Sequence, residues 1–193
     1  MRFLKGGVKF SKSIRHKGQR LSEILNSHAR FTRGEDGGVR ADLAGANLAG
    51  ADLRKARLGY ANLAGANLEG ADLREASLTF ADLSEANLHG ADLRKCDLTE
   101  ARLPRTNLTE AQVTGTELFR ADFTGAVFRG ANLTAANFRS ASIRGADFEG
   151  ANLTTTIFRE TDLEGVDLSR NDLSTALMPR NWRPAEAVKK AAT

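Results

Sequence analysis

The side chains of this chain that could act as nucleophiles, bases or metal ligands are few and scattered. One cysteine, Cys96, and three histidines, His16, His28 and His89, are all the thiol and imidazole it contains. A cysteine nucleophile needs a base within reach, and a metal needs three or four ligands at set spacing. There is no CxxC or HExxH run, and no histidine stands at a predictable place beside Cys96. Cys96 therefore reads as a small buried side chain and His28 as part of an end cap, while His16 and His89 lack companions. What the chain has in quantity is charge of both signs at regular intervals: Asp52, Asp72 and Asp92 beside Arg54, Arg74 and Arg94. Such columns could bind an anion, or each Asp could answer the Arg next to it. Compensation is the preferred reading, because the acids would neutralise a phosphate site. No catalytic residue, cofactor or metal is expected.

Columns twenty residues apart exist only if the chain stacks on itself with that period. Every fifth residue from Leu43 to Met178 is apolar, 28 in succession, and two residues before each stands Ala in 21 of the 28. A helix turns about 100° per residue, so a period of five builds no single stripe. A straight strand would send successive leucines to opposite faces. The chain must turn once per pentad, always in the same sense.

Glycine tells how many pentads close a turn. Eleven pentads end in Gly, and sorted for a four-sided coil ten of them fall on two columns, whereas a three-sided sorting shows no pattern. This predicts a square coil of twenty residues, with Gly at two corners that need positive φ, as in a type II turn, and a different turn at the other two. Seven such coils, about 4.8 Å apart, make a solenoid about 34 Å long with Leu or Phe and Ala inside.

The run "ADLAGANLAG", continued as "ANLEGADLRE", resembles the pentapeptide-repeat proteins over residues 41–180. The resemblance implies an all-β solenoid, the right-handed quadrilateral β-helix, here of about seven coils. It also implies a short N-terminal α-helical cap, since "LSEILNSHARF" is similar to the helix that often precedes such repeats. Better-understood members inhibit or protect DNA gyrase as elongated acidic dimers that mimic DNA.

Sorting the outward residues by face tests that mimicry. The faces centred on Leu43 and Leu48 carry six acids to three bases and five to two, a net −6. The third, centred on Leu53, balances five against five, and the fourth, centred on Leu58, has four acids and five bases. Duplex DNA of about 34 Å would present roughly twenty negative charges, so the match is poor. Asn47, Asn67, Asn87 and Asn107 form an architectural column on the second face.

The fourth face departs from the pattern. Tyr60 and Phe80 stack at its corner, Phe119, Ile157 and Leu177 point outward, and Arg120, Arg139 and Arg159 lie among them. Aromatic and Arg enrichment is the composition of an interface, so this is the candidate interaction face, for an unknown protein, a second copy, or the chain's own N-terminal segment.

An open solenoid needs caps. Leu21, Ile24, Leu25 and His28 fall at helical spacing with Gly34 as a stop, so residues 21–40 read as a helical cap and linker. Residues 181–193 read as a C-terminal tail or cap, with Trp182 as a lid on the Phe158 layer. Residues 1–20 carry seven Lys or Arg and no acid, and read as a flexible basic arm able to contact anionic lipid or nucleic acid. The body is acidic although the whole chain has a net charge of +4. With no stretch near the roughly 18 apolar residues of a membrane span and no secretory h-region, the cytoplasm is the expected address. The functional expectation is a non-enzymatic protein-binding scaffold, with a gyrase-binding DNA mimic and a membrane-peripheral protein as alternatives.

Overall fold

A computed structural model describes residues 13–180 and 182–183. Backbone pairing in the repeat consists of parallel bridges between residues twenty apart, in four columns that begin Asp42↔Asn62, Asn47↔Asn67, Asp52↔Asp72 and Arg57↔Ser77. Each bridge is a pair of bonds: the Leu43 N–H donates to Asn62 O at 2.7 Å, and the Asn62 N–H returns to Ala41 O at 2.9 Å. Between bridges the chain turns at once, with the Ala46 N–H on Leu43 O at 3.0 Å. A four-sided coil of twenty residues follows directly.

Alternation around the turn explains the residue types. The fifth-residue leucines and the alanines beside them are buried, and the core is one continuous cluster from Ile14 to Leu168. Leucine fills it from Leu43 to Leu108; from Phe123 onward aromatic rings take over and stack along the axis, Phe128 on Phe148 at 4.9 Å and Phe138 on Phe158 at 5.3 Å.

Polar side chains at the alanine position find one common partner. Thr106, Thr116, Thr156 and Thr161 are buried, and their hydroxyls donate to Leu83, Leu93, Leu133 and Phe138 carbonyls at 2.5 to 2.9 Å. Each partner is the core residue 23 positions earlier, whose carbonyl also takes the corner N–H of its own coil. A carbonyl has two acceptor sites, so the threonine uses the spare one and its buried hydroxyl is not orphaned. The Cys96 thiol makes the same contact with Leu73 O at 3.2 Å.

The corners correct an expectation. From Gly45 to Gly165 every fifth residue has positive φ, including Lys55, Tyr60, Glu75, Phe80, Glu85 and Arg105, so all four corners turn alike and the two without glycine have no separate turn type. Clearance does not explain the glycines either, since a Cβ on Gly45 or Gly65 would meet nothing within 4 Å. The non-glycine corners often hold side chains that pair with the residue twenty away: Lys55 with Glu75 at 3.6 Å, Arg105 with Glu85, Arg120 with Glu100 at 3.6 Å, and Tyr60 on Phe80. Glu110, at φ 59, has no ion-pair partner among the described residues. Glu110→Gly is expected to stabilise the protein by about 0.5–1 kcal/mol, the left-handed penalty relieved less glycine's extra chain entropy. Urea denaturation of the two proteins measures this, and a destabilised variant would contradict it.

Residues 13–20 also depart from expectation. They are not part of a loose arm: β1, Arg15–His16, pairs antiparallel with β2, Gln19–Arg20, and Ile14 is buried in the core. Lys17 and Gly18 both have positive φ, the type I′ pattern whose twist suits a two-residue hairpin loop. Residues 1–12, the rest of the proposed basic arm, lie outside the described residues, as do 181 and 184–193 of the proposed tail.

Helix α1, Leu21–Thr32, follows at once. The Arg20 N–H is taken by Glu23 Oε2 at 2.9 Å, and Gly34, at φ +69, gives its N–H to Phe31 O at 3.0 Å to close the helix. The linker then passes hard against the helix: a Cβ on Gly38 would lie 2.3 Å from the Phe31 nitrogen. Leu21, Ile24 and His28 face the first coil.

Candidate interaction surface

The third face shows what the Asp and Arg columns do. Arg54, Arg74 and Arg94 each grip the Asp two residues earlier with a forked bond, at 2.7 and 2.9 Å. Arg54 and Arg74 also reach the Asp of the next coil, Asp72 at 3.6 Å and Asp92 at 3.5 Å. The guanidinium bonds hold the Asp52 and Asp72 carboxyls below the usual carboxylate range and raise the arginines. An incoming anion would have to displace these carboxylates, so the shallow hollow between Asp52, Arg54, Lys55, Arg74 and Glu75 is a poor anion site. On the second face the asparagine column is linked by amides, Asn87 Nδ2 to Asn67 at 3.3 Å and Asn107 Nδ2 to Asn87 at 3.1 Å.

Some acids of the first two faces are compensated in the same way. Asp82 faces Arg102 at 3.8 Å, Glu85 pairs with Arg105, and Glu149 lies between Arg129 at 3.9 Å and Arg170 at 2.6 Å. Paired carboxylates present less field than a phosphate backbone would.

The fourth face divides into two apolar ends and an ion-paired middle. At the first end Tyr60 and Phe80 stack nearly parallel, 4.9 Å apart and 4° from coplanar, with Tyr60 50% and Phe80 43% exposed. Arg40 donates through Nε to the Tyr60 carbonyl, and Arg57 is exposed in the same coil. Phe31 and Val39, both exposed, lie on the cap and linker that lead into this end. At the other end Ile157 bridges Leu177, which is 42% exposed. Phe80 and Ile157 are four coils apart, about 19 Å. Between them Phe119 is half-buried with Arg120 over its ring at 5.6 Å, and Arg139 makes a forked pair with Glu160 at 2.9 and 3.0 Å. Arg159 is exposed. The eight residues share a face but do not form one patch.

The cap covers the N-terminal end of the coil, and the C-terminal end is only partly closed. Leu21 is fully buried, Ile24 is 8% exposed, and Leu25 is partly buried against the core. Trp182 packs against the core and lines a cleft of about 550 Å³ with Leu163, Val166, Leu168 and Leu173; Phe158, the layer it was expected to cover, is fully buried. Corners lose their positive φ after Gly165, and beyond Asp162 only the Ile157↔Leu177 bridge remains. The last turn is therefore looser than the rest, which leaves the cleft open.

Of the groups able to do chemistry, Cys96 is buried, and burial pushes its thiol up to about 12, so it is inert at neutral pH. His28 is fully buried and its Nδ1 accepts the Ala41 N–H at 3.0 Å, a role that helical spacing alone does not reveal. Among the described residues no cluster of His, Cys, Asp or Glu could hold a metal ion, and no helix is long and apolar enough to cross a membrane.

Known proteins share the repeat. The family described as pentapeptide repeats (8 copies) matches residues 39–74, 51–90, 86–125, 116–154 and 150–176. HetL, a pentapeptide repeat protein involved in heterocyst differentiation regulation in the cyanobacterium Nostoc sp. strain PCC 7120, is 31% identical. That match covers 74% of this chain and 86% of HetL, with a TM-score of 0.31. A pentapeptide repeat protein of the Arabidopsis thaliana thylakoid lumen is 25% identical over 55% of this chain and 68% of its own, with a TM-score of 0.37. A trypsin-treated form of QnrB1, a plasmid-mediated fluoroquinolone resistance protein, is 21% identical over 79% of this chain and 84% of its own, with a TM-score of 0.34. No curated protein matches this chain. With the repeat matched over more than half its length and its residues stacked twenty apart, the chain belongs to the pentapeptide-repeat family.

Proposed function

We propose that the protein is a rigid, non-enzymatic scaffold for protein binding, a right-handed quadrilateral β-helix of about seven coils with an N-terminal helical cap. Its contacts are the fourth face and the two ends. One observation carries this reading: Tyr60 and Phe80 are held in left-handed corners, at φ 65 and 59, and left about half exposed. Glycine serves the equivalent left-handed corners of the first two sides without strain, and each bulky residue at such a corner costs about 1–2 kcal/mol. The turn itself needs no ring, and about half of each ring faces away from the coil, where a stacked aromatic pair with Arg40 and Arg57 close by has the composition of an interface hot spot.

The test replaces both corners with glycine, Tyr60→Gly with Phe80→Gly, which keeps the turn and removes the rings. Partners captured from the native cell by the wild-type chain should be lost by the double variant, while its thermal stability is kept or raised. Unchanged capture by the variant would remove the fourth face from the proposal. Gyrase supercoiling inhibition, or sedimentation with anionic liposomes that disappears on deleting residues 1–12, would replace the scaffold reading with the DNA-mimic or the membrane reading.

A further inference from the structure

We infer that His28 makes the N-terminal cap an acid-released cover on the first coil. The device belongs to the cap and stands whether or not the fourth face binds a partner.

His28 is fully buried between α1 and the point where the chain joins the coil. Its Nδ1 accepts the Ala41 N–H at 3.0 Å, and its ring stacks on Phe31 at 5.7 Å and 17°. Accepting at Nδ1 places the single proton of the neutral ring on Nε2, which is buried without a complete hydrogen bond. Protonation adds a hydrogen to Nδ1 and sets it against the Ala41 N–H, donor against donor. The bond is lost, the Ala41 N–H is orphaned, and a charge is created where no water reaches it.

The surroundings do little to compensate. From the linker, the Arg40 cation opposes a second positive charge; from the first coil, the Gly59 backbone offers partial help; burial outweighs both and lowers the ring's proton affinity below that of free histidine. Neither α1 nor the hairpin turns a carboxylate toward it among the described residues, and residues 1–20 contain none. Charged His28 is therefore accommodated only when α1 leaves the coil. Release would bare Leu21 and Ile24 and the open edge of the first coil, which offers its unpaired backbone to another chain.

The sign follows from which state holds the proton. Detached, His28 titrates near 6.5; docked, it titrates lower, so docking is fully favoured above about pH 6.5 and weakens as pH falls toward the docked value. Between pH 7.5 and 5.5 the docking constant should drop, by at most about tenfold. That window lies above the range in which Asp52 and Asp72 take up protons.

Amide hydrogen exchange of the full chain, corrected for intrinsic rates, reads the docking directly. Protection of the Ala41 amide and of α1 should fall from pH 7.5 to 5.5 in the wild type, by at most about tenfold, and stay level in His28→Asn, whose Oδ1 can accept the same N–H but does not titrate. No fall in the wild type overturns the proposal, as does an equal fall in both proteins, or a fall abolished by His16→Gln instead. Should the Asn variant lose its cap at pH 7.5, NMR titration of the wild-type imidazole decides. A midpoint below 6.5 sustains the switch, and one at or above 6.5 refutes it.

Discussion

Phe138→Ala is expected to cost about 3–5 kcal/mol, among the largest losses a single substitution can inflict on this chain. Phe138 is fully buried and packs against four other rings: Phe158 at 5.3 Å, Phe123 at 5.5 Å, Phe128 at 5.6 Å and Phe148 at 5.9 Å. Two terms add. Removing the ring forfeits its transfer from water, and the space left behind stays open because the neighbours cannot move in. The second term is unusually large here, since bonds such as Phe138 N–H to Ile157 O at 2.8 Å fix the coil spacing on both sides. Phe138→Leu should cost only about 1 kcal/mol, because leucine fills the same inward position from Leu43 to Leu108 and leaves a smaller void. Urea denaturation followed by far-ultraviolet circular dichroism gives both values. A loss under about 1 kcal/mol for the alanine variant would mean that the rings do not hold the C-terminal coils together. In a quasi-one-dimensional array the damage should also stay local, so the Ala variant should unfold in two steps, coils around Phe138 first.

That contrast shows which parts of the molecule a repeat makes legible. A five-residue period with one apolar and one small position encodes burial redundantly, once in every pentad, so the core from Leu43 to Phe158 could be named from spacing alone. The four-sided coil was also readable, though the clue that revealed it was misleading about its cause. Glycines sort by corner, yet all corners have the same backbone, and residues such as Glu100 and Arg120 occupy the others despite the strain because they pair across coils. The preference lies in side chains twenty residues apart, and a five-residue motif does not show it.

Single-copy features were the ones that sequence concealed. The hairpin at Arg15–Arg20 depends on one dipeptide, Lys17-Gly18, which in a basic stretch looks like a breaker rather than a type I′ turn. The bond from Ala41 to His28 joins elements 13 residues apart that no pattern links. The fourth face was legible as a set of residues but not as a layout, because whether Phe119 and Arg139 join the apolar ends or separate them depends on ion pairs such as Arg139 with Glu160. Threonine at an alanine position carries no mark of its role within the five-residue motif. It is a bonded substitution, and its signal is the carbonyl 23 residues earlier.

Leu21→Ala should detach the cap while leaving the coils folded, with a loss of about 2–4 kcal/mol in the free energy of cap opening. Helix α1 has only 12 residues, too few to hold a helix in water by itself, so its order comes from docking. Leu21 is its most buried apolar residue, at 0% exposure against 8% for Ile24, and its N–H is also bonded to Ile14 O at 2.9 Å. Truncating it removes the side chain that joins hairpin, helix and first coil, and no second layer exists beneath to take its place. The effect should stop at the first coil, because from Asn62 upward each strand is already paired on both sides, to Asp42 below and Asp82 above. Hydrogen exchange read by mass spectrometry should therefore show residues 14–40 exchanging with little protection and the amides of later coils unchanged, with the urea midpoint of the coils shifted only slightly. Protection lost evenly along the chain would show instead that cap and coils fold as one cooperative unit. Because the Leu21 variant opens the same end that acid is inferred to open, its exposed first coil at pH 7.5 should resemble the wild type at pH 5.5, and lowering the pH should loosen it little further.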